Sequence, residues 1–141
     1  MKVQYESRED LRFQYGVVLP EELPTNPTAH YDTFYIGDAA SFYQLHISGH
    51  SGRLGDALEN DNGSAFSTKD ADNDNTDTRH CAVFRRGGWW HSSRDCTNAR
   101  VNGDWDVSGQ PYAISWAWNV EGGSVYITKM SSTELMVRVR E

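Results

Sequence analysis

Several features are scarce in this 141-residue sequence, and each scarcity removes a class of protein. No run of about 18 apolar residues occurs, so the sequence predicts no membrane-spanning helix. Basic residues are not in excess: 13 Lys and Arg stand against 20 Asp and Glu, which gives a net charge of −7. A chain of that charge is not expected to bind nucleic acid or anionic membranes through bulk electrostatics.

Cysteine is also scarce, with only Cys81 and Cys96. Two cysteines in an aromatic-rich chain fit an extracellular disulfide, and two buried thiols in a cytosolic protein are the alternative. The N-terminal residues MKVQYESREDLRFQYG lack the charged start and apolar run of a signal peptide. We therefore expect a secreted, extracellular protein whose signal peptide is not present in this chain.

Helical periodicity is hard to find, whereas short β-like runs separated by Gly, Pro and Asn recur. The predicted strands are 11–19, 31–36, 43–47, 114–118, 125–129 and 135–140. In the last of these, Val137 and Val139 are expected to face inward. Short helical turns are predicted after Asp38, whose carboxylate can cap one, and over 54–58. Residues 20–30 hold three of the four prolines and are expected to form a loop.

An acidic run contains Asp70, Asp72, Asp74 and Asp77. Alternate carboxylates converge only around positive charge, and hard oxygen ligands suit Ca²⁺. The spacing begins like an EF-hand but lacks the glycine and the closing glutamate of that loop. A solvated turn rich in Asp and Asn is the alternative. A transition-metal site built from the nearby His and Cys residues fits no standard ligand spacing.

The segment between the cysteines combines aromatic and basic residues. In Gly87-Gly88-Trp89-Trp90, the two glycines allow close approach of the backbone, and two large rings follow them. We expect at least one of these rings in the core. Four basic residues follow or flank this motif: Arg85, Arg86, His91 and Arg94. They either serve a carboxylate ligand or balance the neighbouring Asp run, and the sequence slightly favours balance.

The order of these motifs resembles a known family. FSTKDADNDN, followed by CAVF, GGWW, a second Cys, VNG, ISW and a closing MVRVR, is similar to the C-terminal part of fibrinogen-like domains. That family includes ficolin- and tachylectin-type lectins and the receptor-binding domains of angiopoietins. The resemblance implies an α+β fold, in which a twisted, mainly antiparallel β-sheet with short helices precedes a loop-rich subdomain that binds calcium and ligand. We expect one fibrinogen-like domain over residues 1–141, with a sheet portion at about 1–65 and a loop-rich portion at about 66–141.

The resemblance also implies the site residues. Calcium is expected to bind the carboxylates of Asp72 and Asp74 and backbone carbonyls near Thr76 and Thr78, and Cys81 and Cys96 are expected to form a disulfide. In lectin members, a pocket beside the second cysteine takes the acetyl group of N-acetylated sugars, and a cis peptide precedes that cysteine. The predicted ligand-binding residues are Asp95, Cys96, Thr97, Tyr112, Ala113, Trp105, His91 and Arg85.

Two of these positions depart from the family pattern. Thr97 stands where the family commonly has His, although its hydroxyl can still donate a hydrogen bond. Arg85 stands where a pocket Tyr is expected. Trp105 and Trp118 either replace the lost stacking surface or pack in the core.

The main hypothesis is a calcium-stabilised lectin for glycans bearing N-acetyl groups, active in innate-immune pattern recognition. The alternative is a non-catalytic module of the same fold that binds a protein receptor, which the departures favour somewhat. Asp104 and Asp106 flank Trp105, but nothing else resembles a glycosidase acid/base pair, so we expect no enzymatic activity. Because monovalent sugar binding is weak, a homo-oligomer is expected if the chain acts alone as a lectin.

Overall fold

The structure is a computed structural model that describes residues 2–4, 11–14, 28–92, 96–104, 110–121, 123–127 and 132–138. Strands dominate these residues, and one turn of α-helix and two short 3-10 helices accompany them. The elements are β1 (Lys2–Gln4), β2 (Leu11–Gln14), β3 (Ala29–Ile36), β4 (Leu45–Gly52), α1 (Cys81–Phe84), β5 (Ala99–Arg100), β6 (Ser115–Val120), β7 (Gly123–Ile127) and β8 (Ser132–Glu134). The 3-10 helices span Ala39–Ser41 and Glu59–Asp61.

The described strands form three antiparallel sheets rather than one. A four-stranded sheet has the order β2-β7-β6-β5, while β3 pairs with β4 and β1 pairs with β8. The predicted α+β class with mainly antiparallel sheet is confirmed. Among the described residues, no helix has the length and apolar character needed to cross a membrane.

The turn between β3 and β4 begins with the predicted cap. The Asp38 carboxylate accepts a hydrogen bond from the Ser41 N–H at 3.1 Å. Phe42 and Tyr43 follow with φ of 53° and 56°, a left-handed conformation that is uncommon outside glycine. The prediction that a strand starts at Tyr43 is therefore wrong, and β4 begins at Leu45.

Two further predicted elements differ from the structure. The helical turn expected over 54–58 is absent there, and a 3-10 helix forms at Glu59–Asp61 instead. The closing strand expected over 135–140 is described only to residue 138, and 135–138 have no strand structure. Val137 is 62% exposed, so its predicted inward orientation is wrong. In the part of the chain that the structure describes, the pairing of β8 with β1 ends at the Lys2–Glu134 pair, so no described backbone partner continues the ladder beyond Glu134. Val139 and residues 15–27 lie outside the described residues.

Large aromatic side chains build the core under these sheets. Trp116 is fully buried, and Trp89 and Trp90 are nearly so. The rings of Trp89 and Trp90 meet edge to face with centroids 5.4 Å apart. Trp118 packs against the same cluster. Both rings of the Gly-Gly-Trp-Trp motif are therefore core residues, and Trp118 is not a free stacking surface.

Candidate ligand- and calcium-binding region

A disulfide ties the loop-rich region together. Cys81, the first residue of α1, is bonded to Cys96, with Cα atoms 5.5 Å apart and both residues buried. Cys96 has a φ of 74°, and its carbonyl accepts a hydrogen bond from the Ser92 N–H at 2.7 Å. The disulfide expected from the family resemblance is confirmed. The disulfide links Cys81, which follows the acidic run in sequence, to Cys96, which directly precedes Thr97.

Asp74 organises the acidic run. One of its carboxylate oxygens accepts from the Thr76 N–H at 3.0 Å, and the other accepts from the Cys81 N–H at 2.8 Å. Partial burial raises the pKa of Asp74, but the hydrogen bonds from Cys81 and Thr76 outweigh burial and hold the pKa below its usual value. The Asp74 carboxylate is therefore a structural acceptor that links the run to the disulfide.

The two predicted carboxylate ligands of calcium lie together. The Asp72 side chain is near enough to Asp74 to contribute to the lowering of its pKa, and it lies 3.9 Å from His80 Nε2. That imidazole nitrogen also lies 2.9 Å from the Thr68 carbonyl oxygen. The described residues contain no cluster of three or more His, Cys, Asp or Glu side chains that could hold a metal ion. The Asp72 and Asp74 carboxylates are nevertheless hard oxygen donors of the kind that Ca²⁺ takes, so their chemistry fits calcium.

The Thr97 side chain points into the protein. Its hydroxyl donates to Asp61 Oδ2 at 2.5 Å and accepts from the Ala99 N–H at 3.0 Å. Trp89 Nε1 donates to the same Asp61 oxygen at 2.9 Å. Both Thr97 and Asp61 are buried. The hydroxyl that the sequence analysis assigned to a ligand is thus already used within the protein.

Asp61 is a site residue that the sequence analysis missed. Burial raises its pKa to about 7, although the hydrogen bonds from Thr97 and Trp89 act in the opposite direction. No local pattern marks this residue, because its partners lie 28 and 36 residues further along the chain. Its environment arises only when the 3-10 helix packs against the disulfide loop.

Arginines gather around Pro111. Arg85 Nη1 and Arg100 Nη1 each donate to the Pro111 carbonyl oxygen at 2.6 Å, and Arg100 Nη2 donates to the Arg85 carbonyl. Arg100 is 1% exposed. Burial, and then the neighbouring Arg85, lower the pKa of Arg100 to about 10. We call Arg85, Arg86 and Arg100 the arginine cluster.

The third member of the cluster covers the predicted pocket tyrosine. The Arg86 guanidinium lies over the Tyr112 ring, 3.8 Å from its centroid. Its Nη1 is 3.5 Å from Asp104 Oδ2, in an ion pair whose two side chains are 59% and 43% exposed. Asp104, and not the Asp run, is therefore the described carboxylate that faces Arg86.

The remaining predicted ligand residues take up different positions. His91 is buried, with Nε2 3.0 Å from the Gly87 carbonyl oxygen. Burial lowers the pKa of His91, and Arg100 adds to this effect. Ala113 is buried, and its backbone forms an isolated parallel β-bridge with that of Asp104. Asp95 and Trp105 lie outside the described residues. The peptide bond between Asp95 and Cys96, which was expected to be cis, is therefore not described either.

The fold and the site define an α+β globular domain whose loop-rich region is tied by one disulfide. A family model described as "Fibrinogen beta and gamma chains, C-terminal globular domain" matches residues 14–138. The chain belongs to this family of fibrinogen C-terminal domains.

Individual relatives agree with this assignment. The chain is 36% identical over 112 residues to tenascin-R of Rattus norvegicus, which covers 79% of the chain and 7% of the relative. It is 36% identical over 113 residues to angiopoietin-1 of Sus scrofa, covering 78% and 22%. Among solved structures, the fibrinogen-like globe domain of human ANGPTL6 is similar with a TM-score of 0.59 and 27% identity, covering 78% of this chain and 52% of that chain. The chain thus spans a small part of these full-length relatives and about half of the solved domain.

Proposed function

We propose that this chain is an extracellular, non-catalytic recognition module that binds a protein partner, rather than a lectin for N-acetylated glycans. The observation that carries the proposal is the state of the predicted acetyl pocket. The Arg86 guanidinium covers the Tyr112 ring at 3.8 Å. The Thr97 hydroxyl donates to buried Asp61. Two groups that an acetylated sugar would contact are therefore engaged within the protein.

An exposed aromatic surface supports protein recognition. Tyr35, Ile36, Phe42 and Tyr43 are each about half exposed, and they lie at the connected ends of β3 and β4. Contiguous exposed apolar side chains are a common mark of protein interaction surfaces. The matched relatives include a tenascin and an angiopoietin, and the family resemblance associates angiopoietin-type domains with receptor binding.

Calcium has a supporting role in this proposal. We infer that Asp72 and Asp74 hold Ca²⁺ together with carbonyls near Thr76 and Thr78. A bound divalent cation would neutralise two adjacent carboxylates and stiffen the loop that the disulfide anchors. Calcium acts here on the shape of the recognition surface and not as a chemical catalyst.

A paired binding experiment tests the function. The purified chain, multimerised on streptavidin to gain avidity, is applied to an array of N-acetylated glycans and to a panel of extracellular receptor domains. We expect saturable binding to a receptor domain that survives enzymatic deglycosylation of that domain. Binding to the glycan array that free N-acetylglucosamine displaces, without any receptor signal, would overturn the proposal and restore the lectin hypothesis.

A further inference from the structure

Arg100 is a buried cation whose described hydrogen-bond acceptors are neutral. Its side chain is 1% exposed, and its hydrogen-bond acceptors are the backbone carbonyls of Pro111 and Arg85. Among the described residues, no Asp or Glu lies within ion-pair distance of it. Asp104 acts on Arg100 from beyond ion-pair distance and offsets part of the effect of burial on its pKa. A buried charge is costly unless an opposite charge compensates it, so this guanidinium favours a closer anion.

The positive charge of Arg100 is reinforced by Arg85. Both guanidinium groups donate to the same oxygen of Pro111, each at 2.6 Å, so the two cations are close neighbours. Their potentials add, because the two positive charges lie close together. Arg85 itself is only partly buried, so part of this residue reaches solvent, unlike buried Arg100.

Arg86 is the exposed member of the cluster. Its guanidinium is stacked on Tyr112 at 3.8 Å, which holds the planar group in place. Its contact with Asp104 is long, 3.5 Å, and both side chains are about half exposed. An exposed ion pair of this kind contributes little free energy, so a better-placed carboxylate can compete for Arg86.

We propose that Arg85 and Arg86, backed by Arg100, form a carboxylate-binding site that receives an Asp or Glu side chain of the protein partner. This inference rests on the proposed protein-binding function and names the chemistry of the partner. A planar carboxylate matches the paired donors of a guanidinium. The net charge of −7 disfavours a long polyanion, because the rest of the surface would repel it, whereas one local carboxylate meets only the cluster.

A small-molecule probe tests the site without the partner. The probe is N-acetylglutamate N-methylamide, followed by NMR through the arginine Nε–Hε and backbone amide signals, and the matched control is the glutamine compound. The variants are Arg86→Gln and Arg85→Gln. Arg53→Gln, which removes an exposed arginine just after β4, serves as the control variant. Backbone amide spectra establish that each variant is folded, and exposed Arg86 provides the test if Arg85→Gln does not fold.

We expect saturable shifts at the arginine cluster with the glutamate compound and none with the glutamine compound. Arg86→Gln should weaken binding by about tenfold, because a charge-assisted hydrogen bond is lost, and Arg53→Gln should leave it unchanged. Absent shifts, equal shifts with both compounds, or no effect of Arg86→Gln would overturn the inference. Tighter binding of methyl glucuronide than of the glutamate compound would also overturn it, in favour of an acidic sugar.

The outcomes for the two proposals remain distinguishable. If a receptor domain binds but the glutamate compound does not, only the carboxylate site is refuted. If acetylated glycans bind in place of receptor domains, the proposed function is refuted whatever the probe shows. Support for both requires that Arg86→Gln, unlike Arg53→Gln, weakens binding to the receptor domain.

Discussion

Asp61 makes the stability of this domain depend on pH, and Asp61→Asn tests that dependence. Burial raises the pKa of Asp61 from 3.8 to about 7. Between these values the folded state keeps the proton while the unfolded state has lost it. Stability is therefore highest below the unfolded pKa and falls as the pH rises toward the folded pKa.

The size of the effect follows from the two pKa values. Each pH unit between them costs up to about 1.4 kcal/mol, so the domain should lose about 2 kcal/mol between pH 5 and pH 7. For a chain of this length, that loss lowers Tm by about 7 °C. Asparagine has the shape of aspartate and keeps one oxygen to accept from Trp89 and Thr97, but it does not titrate. The pH-dependent loss should disappear in the variant.

Urea unfolding at pH 5, 6, 7 and 8 measures this directly for the wild type, Asp61→Asn and the control Glu59→Gln. Glu59 is exposed and lies in the same 3-10 helix, so its variant should follow the wild type. From pH 5 to pH 7, the free energy of unfolding of Asp61→Asn minus that of the wild type should rise by about 2 kcal/mol. If the wild-type and Asp61→Asn curves run parallel across this range, the reasoning about Asp61 is refuted.

Three further predictions concern the same region. Thr97→Val should lower the free energy of unfolding by about 1–3 kcal/mol, and by more at pH 8 than at pH 5, because ionised Asp61 loses a hydrogen-bond donor. Thr97→Ser keeps the hydroxyl and should retain most of the stability. Equal losses in the two variants would contradict this prediction. Asp74→Ala should lower Tm with and without calcium, since the Thr76 and Cys81 amides lose their acceptor, whereas Asp72→Ala should lower Tm only when calcium is present. Equal loss for Asp72→Ala in chelator would mean that its role is structural without metal. Replacing both Cys81 and Cys96 with Ser should cost about 3 kcal/mol in urea unfolding, and an unchanged midpoint would show that the loop is held by its other contacts.

Local sequence was sufficient for features that depend on local contacts. Asp38 caps the 3-10 helix because its carboxylate reaches an amide only three residues away. The strand predicted at 31–36 was found because β-branched and aromatic residues fit a sheet, and the structure extends it to begin at Ala29. The order of the cysteines and the Gly-Gly-Trp-Trp motif was specific enough to indicate the family.

Features that depend on distant contacts could not be predicted. Asp61 appears in the sequence as one polar residue among several, and only packing against Trp89 and Thr97 makes it a buried carboxyl. Arg100 occupies a two-residue strand, and its burial depends on the carbonyls of Arg85 and Pro111. The predicted role of Thr97 considered its hydroxyl but not the direction of the side chain, which tertiary contacts determine.

Titration of N-acetylglucosamine into the calcium-loaded protein, followed by calorimetry and by the NMR signals of Tyr112 and Thr97, tests the central claim most directly. The account predicts no saturable binding and no shift of these signals, because Arg86 and Asp61 already engage the two side chains. Saturable binding that shifts Tyr112 and Thr97 would show that the acetyl pocket is open, and it would contradict the proposal that this domain recognises protein.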